Sequence, residues 1–133
     1  MTLFFRYCVW VLMYMGMIFY LSHQSAMPIE VPEWVFYFDK VVHGLIFGVL
    51  GFLFLRAWLQ GKWHTVTWKS VMAAILFTIL YGITDEYHQS FIPGRTPDYQ
   101  DLIADGIGAA VICLSTYAWF KPQEDRGNEV EST

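Results

Sequence analysis

The chain has 133 residues, of which 56% are hydrophobic, 19% aromatic and only 15% charged, with a net charge of −4. A soluble domain averages about a quarter charged residues, and a nucleic-acid binder needs a basic patch. The balance therefore excludes nucleic acid as a partner and points to a membrane protein; with no composition shift and no internal repeat, one integral membrane domain is expected over residues 1–133.

The apolar residues arrive in four blocks. Residues 3–21 are interrupted only by Arg6. A cleaved signal peptide is disfavoured here, because the following LSHQSAMP lacks two small residues spaced as A-x-A. A spanning helix needs roughly 20 mostly apolar residues, so this block is read as a first span. A second is expected over about 41–59, preceded by a short interfacial helix near 32–37 on the outer side. A third falls at about 68–84 and a fourth at about 99–120, the latter carrying Asp105 within it. The second and third blocks reach spanning length only with the polar residues at their ends included.

The expected fold is thus all-α, a four-helix transmembrane bundle. Its orientation follows from Lys and Arg in the flanks. A cytoplasmic N-terminus puts Arg6, Arg56, Lys62, Lys69, Lys121 and Arg126 inside and leaves only Lys40 and Arg95 outside. Both termini are then cytoplasmic, with residues 121–133 a polar tail expected to be disordered. Cys8 and Cys113 both fall inside predicted spans, which is no disulfide framework.

That topology brings both outer loops and their ionisable residues to one face. Asp39 and His43 are four apart and share a helix face, about 6 Å apart along the axis. Gly44, Gly48 and Gly51 form a small-residue surface that lets a neighbouring helix approach. Tyr81, Asp85, His88 and Gln89 lie on one face of the third helix, with Glu86 turned about 100° away. Pro93-Gly94 signals a turn, and Thr96-Pro97 reads as the cap and first residue of the fourth helix. Asp98, Asp101, Asp105 and Gly108 then form one stripe.

All these groups are expected to meet in one outward-facing pocket. Arg95 would hold an anionic group, Asp39 with His43 would move protons, and Asp85 with Glu86 would orient or supply a second carboxylate. Lys40, His88, Gln89, Asp101 and Asp105 would complete the binding surface. Asp, Glu and His also suit a divalent cation, but no spacing matches a known ligand motif, so no residue is assigned as a metal ligand. Buried ion pairs that only fix helix register, with Arg95 on Asp101 or Asp85, are the structural alternative.

At these residues the chain resembles the VanZ-like family. The resemblance rests on D-K-x-x-H at Asp39, Lys40 and His43, and on Y-G-x-x-D-E-x-x-Q from Tyr81 to Gln89. P-G-R at 93–95 and D-x-x-x-D/N-x-x-G at Asp101, Asp105 and Gly108 complete it, over roughly residues 36–115. Many members carry Asn where this chain has Asp105. The founding member confers resistance to the glycopeptide teicoplanin, so the resemblance implies a multi-pass protein of the bacterial inner membrane. The expected function is cell-envelope homeostasis, through binding an anionic amphipathic molecule such as a membrane lipid, a lipid-linked precursor or a lipoglycopeptide; whether that molecule is modified is left open. A proton-coupled permease or channel component is the rival class, and a structural membrane scaffold a third. Cofactor and oligomeric state are not legible in the sequence.

Overall fold

The computed structural model describes residues 3–25 and 33–121. Among them are four long helices, α1 (Leu3–Ser22), α2 (Glu33–Trp58), α3 (Trp68–Gln89) and α4 (Tyr99–Phe120), with a 3-10 turn at Trp63–Thr65. The all-α expectation holds, and no strand occurs among the described residues. The segment from Glu33 to Tyr37, expected as a separate interfacial helix, is helical but continuous with the second span. Nothing between them breaks the helix, since Pro32 precedes it and no Gly or Pro follows before Gly44. Pro32 itself and the tail beyond Lys121 lie outside the described residues.

By length and composition, α1, α2 and α4 can cross a membrane. α3 does not reach the same apolarity, because Trp68-Lys69-Ser70 opens it and Asp85, Glu86, His88 and Gln89 close it. Its middle is nonetheless buried in the bundle through Val71, Ala74, Ile75 and Thr78. The outer surface carries the opposite pattern to a soluble protein. Leu12, Met13, Leu45, Leu76, Leu80, Ile103, Ile107 and Val111 are all exposed. An apolar patch of that extent in water would drive association, whereas in hydrocarbon it is the matching surface. Trp58, Trp68 and Trp119 are exposed near one end and Trp34 and Tyr37 near the other, as interfacial belts are. Two buried threonine hydroxyls are satisfied within their own helices: Thr78 donates to the Ala74 carbonyl at 2.9 Å and Thr116 to Ile112 at 2.8 Å.

α2 packs most extensively on α4, and glycine is the reason. A Cβ on Gly108 would overlap the Gly44 carbonyl, and one on Gly48 would lie 2.9 Å from the Gly108 carbonyl oxygen. The small-residue surface expected on α2 therefore finds its partner in α4, backbone against backbone. α1 lies against α2 and, more lightly, α3. Two tyrosine hydroxyls pin it, Tyr14 to the Ile46 carbonyl at 3.1 Å and Tyr81 to the Met15 carbonyl at 2.7 Å.

Candidate functional site

The C-termini of α1 and α3 and the N-terminal halves of α2 and α4 meet at one end of the bundle. Their polar side chains gather there as expected, but they divide into three groups rather than lining one pocket.

The first group faces a cleft of about 370 Å3 between α1, α2 and α3. Asp39, His43, Asp85, Gln89 and Arg95 line it together with Ile18, Leu21, Val42, Ile46 and Phe47. Asp85 is buried; its Oδ2 accepts from the Ser22 hydroxyl and from the Gln89 amide, each at 2.9 Å. Arg95 follows a turn in which its N–H donates to the Ile92 carbonyl at 3.1 Å. Pro93 and Gly94 occupy the central positions, and Gly94 takes φ 80°, which only glycine adopts without strain. The Arg95 Nε donates to the Gln24 carbonyl at 3.1 Å. Neither Asp101 nor Asp85, the partners weighed for it from sequence, forms an ion pair with Arg95.

The second group fills the α2–α4 seam. Lys40 adjoins Asp39 in sequence and is therefore turned about 100° from it, away from the cleft and toward α4. Its ammonium pairs with Asp98 at 2.6 Å and with Asp101. His43 Nδ1 lies 3.2 Å from Asp105 Oδ1, and His43 Nε2 lies 4.0 Å from Asp101 Oδ2. The nearest carboxylate partner of His43 thus comes from another helix, not from Asp39 on its own. Asp105 is only 1% exposed. Space for it is made by Gly82 on α3, where a Cβ would sit 3.0 Å from Asp105 Oδ2. A charge at that depth is tolerated only where it faces the bundle interior and has a partner, and His43 is that partner.

Asp98 caps α4, a correction to the expected cap at Thr96. Its side chain accepts from the Gln100 N–H at 2.9 Å, and the helix begins at Tyr99. The helix thus starts two residues later than expected, and Asp caps better than Thr. The Asp98 N–H donates to Glu86 Oε2 at 2.8 Å, so the carboxylate turned away from Asp85 faces α4. The Lys40 hydrogen bond holds the Asp98 carboxyl below the usual carboxylate range. Glu86 lies beyond the apolar part of α3, and burial pushes its carboxyl up; its second oxygen, Oε1, has no hydrogen-bond partner.

The third group is a stack against α1. His88 lies on Phe19 with ring centroids 4.3 Å apart, and its Nε2 is 3.2 Å from His23 Nδ1. His88 therefore belongs to the α1–α3 contact and not to the cleft. Residues 81, 85 and 88 do share one face, and that face is the one α1 covers. Sequence reasoning passed over Ser22, His23 and Gln24. Their signal was available: three polar residues closing the first apolar block.

Asp39, His43 and Asp101 each offer one ligand atom within 4.8 Å of the others, close enough to hold a metal ion, a grouping that no sequence motif had marked. The signal is invisible in one segment because the donors come from two helices. Across the bundle, a scan against protein-family models matches VanZ/LLP1 over residues 5–120. The chain belongs to the VanZ/LLP1 family. No curated protein and no solved structure matches it. The match extends beyond the span of the motifs to take in α1 and the residues that follow it, which supply the Ser22 and Gln24 contacts.

Proposed function

We propose that this VanZ/LLP1-family membrane protein acts at the bacterial inner membrane, its polar end facing outward. There it binds an anionic, amphipathic envelope molecule in the cleft between α1, α2 and α3. One observation carries this reading: the cleft sets an apolar wall of Ile18, Leu21, Ile46 and Phe47 beside Arg95, whose guanidinium has no carboxylate at ion-pair distance among the described residues. An acyl or isoprenoid chain suits the wall, and a phosphate or carboxylate suits the planar fork of Arg95. Asp39 and His43, which line the same cleft, would hold or move a proton on the bound head group. The lipoglycopeptide class, and with it the family's link to teicoplanin, enters as a candidate occupant of the same cleft.

The permease alternative gains no support, because below Asp105 the interior closes with Leu55, Val71, Ala74, Ile75 and Cys113, and the Thr78 hydroxyl is already held by the Ala74 carbonyl.

Native mass spectrometry of the detergent-purified protein tests the anion reading, with undecaprenyl phosphate and undecaprenol as probes. The phosphate is expected to be retained over the alcohol, Arg95→Gln to lose that preference, and Arg95→Lys to restore it poorly. Equal retention of both probes by the unaltered protein would remove Arg95 as anchor.

A further inference from the structure

We propose that Asp39, His43 and Asp101 form a binding site for one divalent transition-metal ion, Zn2+ or Mn2+ in donor character. The site rests on its own geometry and shares only Asp39 and His43 with the anion-binding cleft.

Three donor atoms within 4.8 Å of one another surround a single point between α2 and α4. Ligand atoms bound at about 2.0–2.2 Å sit no more than ~4.4 Å apart across an ion, so the triangle needs a small closure. Asp39 is exposed and can supply it by rotating. Lys40 engages Oδ1 of Asp101, which leaves Oδ2, the oxygen 4.0 Å from His43 Nε2, free to bind.

The far side of His43 has the form found behind metal-bound imidazoles. Its Nδ1 is held at 3.2 Å by Asp105, a carboxylate 1% exposed. That bond fixes the tautomer, orients the ring and directs Nε2 at the triangle. Near the triangle lies a second, independent feature, a buried carboxylate oxygen that nothing among the described residues satisfies. Glu86 is 8% exposed, lies within electrostatic reach of Asp101 and His43, and has Oε1 buried without a partner. Asp39, Asp85, Glu86, Asp98, Asp101 and Asp105 outnumber Lys40 and Arg95 at this end of the bundle. Two carboxylate oxygens and one imidazole match Zn2+ or Mn2+ better than Ca2+, which takes six to eight oxygens. Three protein ligands also leave a coordination position open.

The test is uptake of Zn2+ and of Mn2+ by the EDTA-washed protein in detergent with no lipid added. Calorimetry and elemental analysis after gel filtration are the readouts. About one equivalent of either ion is expected. Asp39→Asn and His43→Gln should each weaken uptake at least tenfold, and Asp105→Asn, a positioning change, by about 10–100-fold. Melting temperature separates lost binding from lost folding, and Asp39→Asn, at an exposed position, keeps the test open should the buried variants unfold. Absence of uptake by the unaltered protein overturns the site, as does uptake undiminished in folded Asp39→Asn. Undecaprenyl phosphate binding without metal uptake refutes this site alone.

Discussion

The α2–α4 seam makes the sharpest prediction, because adding one methyl group at Gly108 tests both the fold and the site. A Cβ there overlaps the Gly44 carbonyl and crowds the Gly44 Cα. Backbone cannot rotate aside as a side chain can, so α2 and α4 must separate. Overpacking typically costs about 1–3 kcal/mol, and a backbone-on-backbone clash belongs at the upper end. Replacing glycine by alanine also returns about 1 kcal/mol of helix propensity. Gly106→Ala in the same helix isolates that gain, since its Cβ would meet only the Ile79 side chain, at ordinary distances of 3.6 and 3.7 Å. The difference between the two variants is then about 2–3 kcal/mol, which for a chain of this length is a gap of roughly 6–15 °C in Tm. Thermal denaturation in one detergent, followed by circular dichroism, measures it. Separation of the helices also pulls Lys40 from Asp98 and Asp101 and His43 from Asp105, so Gly108→Ala should lose ligand uptake before it unfolds. Equal melting of the two variants would refute the close α2–α4 approach and, with it, the placement of every residue in the seam.

Lys40→Met should strand Asp101, which is buried, at a cost of about 3–5 kcal/mol; Lys40→Met with Asp101→Asn should recover most of it, and failure to recover in chemical denaturation would mean the pair is not the source of the loss. Asp98 has a depressed folded carboxyl through its Lys40 hydrogen bond, so its contribution is present above the ordinary carboxylate pKa and disappears as pH falls through the lower folded value. A stability profile over acid pH should therefore lose one step in Asp98→Asn, and an unchanged profile would contradict the ion pair. For topology, a cysteine at Ser90, introduced after Cys8 and Cys113 are changed to Ala, should label with a membrane-impermeant maleimide in spheroplasts, while one at Ser132 should not; the opposite pattern would turn the cleft to the cytoplasm.

The sequence by itself determined the four long helices, their faces and the end of the molecule where the chemistry collects. Apolar run length sets the first, because each block must bury its backbone polar groups in its own hydrogen bonds. The three-and-four spacing sets the second, so the stripe Tyr81, Asp85, His88 and the depth of Asp105 were both legible. Partners across helices were not. Asp39 and Lys40 are neighbours, yet one faces the cleft and the other α4, and the choice depends on how α2 is rotated in the bundle. Glycine decides that rotation: Gly44 and Gly48 must meet Gly108, which carries Lys40 onto Asp98 and Asp101 and His43 onto Asp105. Asp101, which the structural alternative had paired with Arg95, is taken by Lys40 for the same reason, and Arg95 is left at the cleft, on the Gln24 carbonyl. Spacing along one helix specifies which side chains share a face. Only the close approach of two backbones decides what that face meets.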